Sequence, residues 1–131
     1  MMRIVIYAVL MCGVLLIISC DRQQPVSPTT DLTELGREIV SSMAQGTYDK
    51  VFARFDTKMQ EVMPAQKIEQ AWTSLEAQSG VFQKQVGVRQ TKEQGYDVVY
   101  VTCEFEKVVI DIKVVFNNDK QISGLWFIPT Q

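Results

Sequence analysis

Along this chain the apolar positions recur first every three or four residues and then, beyond Gly80, every second residue. Asp31 stands where a helix N-cap belongs, with Glu34 three residues on in the capping-box position. Leu32, Leu35, Ile39, Val40 and Met43 follow at helical spacing, and Gly46 is the expected stop. Thr47 is placed to cap a short second helix carrying Tyr48, Val51, Phe52 and Phe55. A further turn is expected around Lys58 to Met63. Pro64 suits a first helical position, where its missing N–H costs nothing. Ile68, Ala71, Trp72 and Leu75 then form the apolar stripe of another helix, which Gly80 ends.

After Gly80 the period of two predicts strands. Phe82, Val86 and Val88 alternate with polar residues until Gln94-Gly95 breaks the run. Val99, Val101, Cys103 and Phe105 share a face of the second strand, and Val108, Ile110, Ile112, Val114 and Phe116 a face of the third. Ile122, Gly124, Trp126 and Ile128 share a face of the fourth, which Pro129 terminates. A two-residue turn at Glu106-Lys107 sets Phe105 opposite Val108, Cys103 opposite Ile110 and Val101 opposite Ile112. A turn through Asn117 to Gln121 sets Phe116 opposite Ile122 and Ile112 opposite Trp126. Both hairpins put their apolar pairs on one side. The expected fold is therefore α+β, with N-terminal helices packed on a curved four-stranded antiparallel meander.

Ahead of Asp31 the pattern is different. Arg3 precedes fifteen uncharged, mostly apolar residues, Ile4 to Ile18. As a helix these span about 22 Å, short of the ~30 Å hydrocarbon core, so a cleaved export segment is expected rather than a spanning helix. The run Ile17-Ile18-Ser19-Cys20 resembles a bacterial lipoprotein signal. That resemblance implies cleavage between Ser19 and Cys20, a diacylglyceryl group on the Cys20 thiol, and attachment to the non-cytoplasmic face of a membrane. The rival reading is an ordinary cleaved signal that frees a soluble protein. Asp21 resembles an inner-membrane retention signal of two-membrane bacteria. Asp21 to Thr30 (DRQQPVSPTT) reads as a tether, about 30 Å when extended. The expected division is a signal peptide over 1–19, the lipidated cysteine and tether over 20–30, and one domain over 31–131.

Composition narrows the chemistry. Thirteen Lys plus Arg face fifteen Asp plus Glu; loss of Arg3 leaves the excess acidic. There is no polybasic field, so nucleic acid is not an expected partner. The absence of histidine removes Ser-His-Asp and Cys-His nucleophile systems and His-containing metal sites. No phosphate-binding glycine motif or EF-hand spacing occurs, and no cofactor is expected. Of three cysteines, Cys12 lies in the leader and Cys20 is the lipid site, so Cys103 has no partner for an internal disulfide. Glu104 and Glu106 stand two apart on a strand, ~6.6 Å, a separation that carboxylate catalysis uses. Glu106 falls in the turn, however, and a solvated outer face accounts for both. Asn117-Asn118-Asp119 reads as a hairpin turn.

Two features stand above this background. Gly124 leaves space on the buried face between Ile122 and Trp126. With Trp72 and the inward Cys103 it outlines a pocket at the open end of the sheet; the alternative is a glycine accommodating a neighbouring aromatic ring. Cys103 also reads simply as core filler. Secondly, Val98, Val115, Leu125 and Phe127 are expected on the outer face. Exposed, they form a contact surface; otherwise a strand edge or the first helix covers them.

The stretches GTYDKVFARFD, AWTSLEAQSGVFQK and VVYVTCEFEKVVIDIKVVFNNDKQISGLWFIP, in this order, resemble a bacterial family of secreted or membrane-attached domains of unknown function. That resemblance implies a fold like nuclear transport factor two, with helices wrapped by a curved, cystatin-like sheet. In such relatives the domain is sometimes fused to an α/β-hydrolase, and glycine often stands where this chain has Lys120. No activity is implied. The leading expectation is a non-enzymatic envelope lipoprotein whose sheet surface engages another envelope protein or its own copy. The second is a small apolar ligand held in the cone. An accessory role beside a hydrolase is the weakest.

Overall fold

Asp31 starts α1 (Leu32–Ala44) by accepting the Thr33 backbone N–H at 2.9 Å and the Thr33 hydroxyl at 2.6 Å. In this computed structural model residues 31–130 are described; Ser19, Cys20 and Asp21 lie outside them. Glu34 pairs with Arg37 at 3.9 Å. Thr47 precedes α2 (Tyr48–Phe52), but its hydroxyl donates back to the Ser42 carbonyl instead of capping. Asp56 caps α3 (Thr57–Val62) by accepting the Met59 N–H at 2.8 Å. Pro64 sits at the cap of α4 (Ala65–Ser79), one place earlier than expected.

Four strands follow: β1 (Phe82–Glu93), β2 (Tyr96–Phe105), β3 (Val109–Phe116) and β4 (Ile122–Pro129). They form one antiparallel sheet in the order β1-β2-β3-β4. The helices lie against one side of this open sheet, as the α+β reading expects. Leu35, Ile39, Val40 and Met43 of α1 and Ile68 and Trp72 of α4 bury against Val99, Val101, Cys103, Ile112 and Val114. Gly36 brings α1 close enough that a Cβ there would lie 2.7 Å from Val99 Cγ1.

The β2–β3 register agrees with the alternation: Cys103 faces Ile110, Val101 faces Ile112, and the Phe105 N–H donates to the Val108 carbonyl. The β1–β2 turn uses Gln94 (φ 53°) and Gly95 (φ 84°), the pair of left-handed residues that a two-residue hairpin requires. Two irregularities interrupt β1, between Phe82 and Lys84 and between Gln85 and Gly87. They overturn the expected inward place of Val86, which is 50% exposed. Gln85 pairs with Cys103 in its stead, and its amide donates to the Arg37 carbonyl and the Ser41 hydroxyl on α1.

The second correction falls on β4. Phe116 faces Ile122 as expected, but Val115 faces Gly124, leaving Ser123 as an extra residue. Ile112 therefore faces Phe127, and Trp126 faces Lys113. The cause is distant in sequence. The Ile122 N–H donates to the Arg54 carbonyl, the Asp56 N–H donates to the Ile122 carbonyl, and the Ser123 hydroxyl donates to Asp56 Oδ2 at 2.7 Å. The start of β4 thus serves two neighbours, and one extra residue inverts every side chain after it. Leu125 and Phe127 turn towards the core, while Trp126 and Ile128 are exposed on the outer face.

The β3–β4 loop is a tight turn followed by a left-handed residue. Lys120 N donates to the Asn117 carbonyl, Asn117 N donates to the Gln121 carbonyl, and Lys120 has φ 59°. Asn117 Oδ1 also accepts from the Asp119 and Gln121 N–H groups. A lysine in this conformation carries strain of about 1 kcal/mol. Lys120→Gly is expected to raise the denaturant midpoint by an amount corresponding to roughly 0.5–1 kcal/mol, with an unchanged slope; a lower midpoint contradicts this.

Candidate binding site

The bulge at Ser123 makes the site. It turns the Trp126 indole outward, 52% exposed, and lays it over Gly124. A Cβ on Gly124 would lie 2.2 Å from the indole ring, so only glycine leaves the ring its place. A cleft opens on each side of Trp126. One, about 520 Å³, runs between β4 and the helices, against Met59, Val62, Met63, Ala71 and Leu125. The other, about 510 Å³, lies on the outer face of the sheet over Val98 and Val115, with Tyr96 and Glu93 at its far wall. Trp126, Met59, Val62 and Ser123 border both. The Asp56–Ser123 hydrogen bond ties α3 to β4 beneath them. That contact depresses the Asp56 carboxyl, first through Ser123 and then through the Met59 N–H.

Glu93 and Lys113, on the outer cleft, are already engaged within the domain. Lys113 Nζ lies 3.2 Å from Glu93 Oε1 and 5.5 Å from the centre of the Trp126 ring system. The Tyr100 hydroxyl donates to Glu93 Oε2 at 2.7 Å. This hydrogen bond is the main reason that the Glu93 carboxyl is held below its ordinary value and the Tyr100 phenol above its own. Burial works against the Lys113 ammonium, but Glu93 and Tyr100 together outweigh it and the net shift is upward. Arg89 stacks 4.3 Å over Tyr100 and pairs with Asp111 at 2.9 Å, while the Thr102 hydroxyl donates to Asp111 at 2.6 Å. Thr102 and Asp111 are cross-strand partners in the β2–β3 register, as are Tyr100 and Lys113.

Burial opposes the Asp111 charge, yet the Arg89 and Thr102 hydrogen bonds and the Arg89 charge together hold its carboxyl below the ordinary 3.8. A carboxyl depressed in the fold stabilises it above that ordinary value and loses the contribution as pH falls through the folded value. Asp111→Asn is therefore expected to flatten the fall in melting temperature between roughly pH 5 and pH 2. An acid limb identical to that of the parent chain contradicts this.

The sequence-expected residues divide. Gly124 and Trp126 border the clefts, but from the outer face and edge of the sheet. Trp72 is 2% exposed, enclosed by Phe82, Phe105 and Phe127 with ring centres 5.7, 5.7 and 6.3 Å away. Cys103 is buried in the core; desolvation, aided by the Asp111 charge, pushes its thiol up to about 12, so it is not a nucleophile at neutral pH. Of the expected contact surface, Val98 and Val115 do lie on the outer face as the floor of the outer cleft, and Val98 is only 1% exposed. Leu125 and Phe127 pack against the core, which removes half of that surface. Glu106 lies in the β2–β3 turn, apart from Glu104 on β2.

Sequence reasoning missed Met59, Val62, Met63, Tyr96 and Lys113 as cleft residues. The available signal was the spacing of Met59, Val62 and Met63, at i, i+3 and i+4, which puts an apolar face on one short helix. Among the described residues no cluster of metal-ligating side chains occurs, and no helix is long and apolar enough to cross a membrane.

Fold and site together define a helix-backed open-sheet α+β domain with a two-sided cleft around an exposed indole. The family model described as "Protein of unknown function (DUF3887)" matches residues 36–125, and the chain belongs to that family. No curated protein and no solved structure matches the chain.

Proposed function

We propose that this chain is an envelope lipoprotein, anchored through Cys20, whose domain is a non-catalytic module that binds a small apolar ligand around Trp126. The observation that carries the binding reading is the half-exposed indole between two clefts, one walled largely by Met59, Val62, Met63, Ala71 and Leu125 and the other floored by Val98 and Val115 with charged groups around it. The nearby carboxylates of Asp56 and Glu93 are taken up by hydrogen bonds within the domain, and the thiol of Cys103 is protonated at neutral pH. Neither provides an activated group for chemistry. Helices packed against a four-stranded antiparallel meander support a fold of the nuclear transport factor two type. The anchor rests on the Ile17-Ile18-Ser19-Cys20 run, and an unmodified N-terminus in the mass spectrum of the native product overturns it.

Binding is tested on a chain beginning at Cys20, made without the leader so that it carries no acyl groups. Medium-chain alcohols and naphthalene should change its tryptophan emission saturably. Trp126→Phe should abolish the change, since the remaining Trp72 is sealed in the core. An emission unchanged across the series contradicts the reading. Surface self-association is the second reading; it rests on the exposed Tyr96, Trp126 and Ile128 instead of the surface that Leu125 and Phe127 leave incomplete.

A further inference from the structure

We propose that the free edge of β4 accepts an extended, uncharged apolar peptide from a partner protein as a fifth strand. The two edges of this sheet are unlike. β1 carries Lys84, Arg89, Lys92 and Glu93 and two irregularities, the devices that keep a sheet edge from pairing. β4 carries no charged residue from Ile122 to Pro129. Its pairing with β3 occupies one side only. Among the described residues, no backbone hydrogen bond reaches Ser123 to Ile128 from any element other than β3.

The domain itself shows that this edge takes a strand. At its start, Phe55 bridges Ile122 in parallel, through the Ile122 N–H to the Arg54 carbonyl at 2.8 Å and the Asp56 N–H to the Ile122 carbonyl at 2.9 Å. The chain then leaves the edge as α3. From there Ser123 to Trp126 border the cleft of about 520 Å³ walled by Met59, Val62, Met63, Lys67 and Ala71, and the strand runs on past it to Pro129. A peptide continuing the line of Phe55 pairs its main chain with β4 and seats alternate side chains against those walls, the geometry of strand addition. Adaptable methionines suit a range of apolar side chains. The strand itself carries no charge, so its main-chain pairing favours an uncharged segment, and Lys67 on the cleft wall donates to the Val62 carbonyl at 3.5 Å. A single extended segment fits beside α3 and α4, whereas a second copy has to bring its own α3 and α4 to the same place.

The test uses the full chain and an end-capped peptide of four Val-Thr repeats with a two-lysine tail. Hydrogen exchange should slow in β4 between Gly124 and Ile128 when the peptide is added. Alternate backbone N-methylation of the peptide, in the phase that faces β4, should abolish the protection. Val62→Lys, a change at an exposed position, should weaken binding about tenfold, or ~1.4 kcal/mol. Absence of protection in β4, or equal protection by the peptide methylated in both phases, overturns the proposal. Concentration-dependent dimerisation that protects β4 without peptide also overturns it, in favour of a second copy. Saturable quenching of Trp126 by alcohols with no peptide protection leaves the small-ligand reading standing and this one refuted; the converse result reverses the two.

Discussion

Gly80→Ala is expected to destabilise the domain by about 3–5 kcal/mol, the largest effect of any single methyl group added here. Gly80 joins α4 to β1 with φ 82° and ψ 176°, a region that is essentially glycine-only and costs other residues about 1–3 kcal/mol. The surroundings add a second penalty. The Glu106 N–H donates to the Val81 carbonyl and the Lys107 N–H to the Ser79 carbonyl, so the β2–β3 turn is fastened across Gly80 on both sides. A Cβ at residue 80 would stand 2.5 Å from Glu106 Cβ and 3.3 Å from its Cα. Relief demands moving backbone, because the fastened turn cannot rotate away as a side-chain tip could. Thermal unfolding should show a midpoint lowered by more than about 15 °C. Gly80→Ala combined with Glu106→Gly should recover the steric part and retain the dihedral part. A single variant within 1 kcal/mol of the parent, roughly the scatter of exposed-site changes, refutes the account.

Trp72→Ala should cost about 3–5 kcal/mol, through lost transfer energy and the cavity left behind. The indole is the hub of the aromatic cluster: it touches Phe82 from β1, Phe105 from β2 and Phe127 from β4, and Phe82 and Phe105 meet each other at 5.6 Å. Its removal unties α4 from both edge strands at once. Trp72→Phe keeps most of the contacts and should cost less than half as much. The residual fluorescence of Trp72→Ala comes from the exposed Trp126 alone and should be red-shifted relative to the parent. Denaturant midpoints measure the first effect, and a loss below 1 kcal/mol, the level of a surface change, contradicts it.

The same residue illustrates what could be read beforehand. Trp72 was legible as a core-facing position because Ile68, Ala71 and Leu75 share its helical stripe. Its neighbour Phe127 was not, since strict alternation from Ile122 sends residue 127 outward. The sequence carries no mark of the extra residue at Ser123, whose cause is Asp56, sixty-seven positions earlier. The Glu106-Lys107 turn, in contrast, sits between two strands that pair with each other directly, and its register follows from their alternation alone. Lys120 lies between these cases. The turn around it was expected, but its left-handed φ of 59° is one that the residue type itself does not favour.

Local order therefore belongs to the sequence. Helical spacing, strand alternation, the Asp31 cap, the Gln94-Gly95 turn and the order of helices before strands are set by neighbours a few residues apart, and they determine an α+β domain without help from distant contacts. The clefts belong to the tertiary structure. Two irregularities in β1 and one in β4 decide which alternate residues face inward, and two of the three coincide with a bond to a distant helix or loop: Gln85 to α1, Ile122 and Ser123 to the Arg54–Asp56 segment. A period of two has no memory of such bonds. One inserted residue exchanges the faces, and that exchange places Trp126 between the clefts and Phe127 in the core.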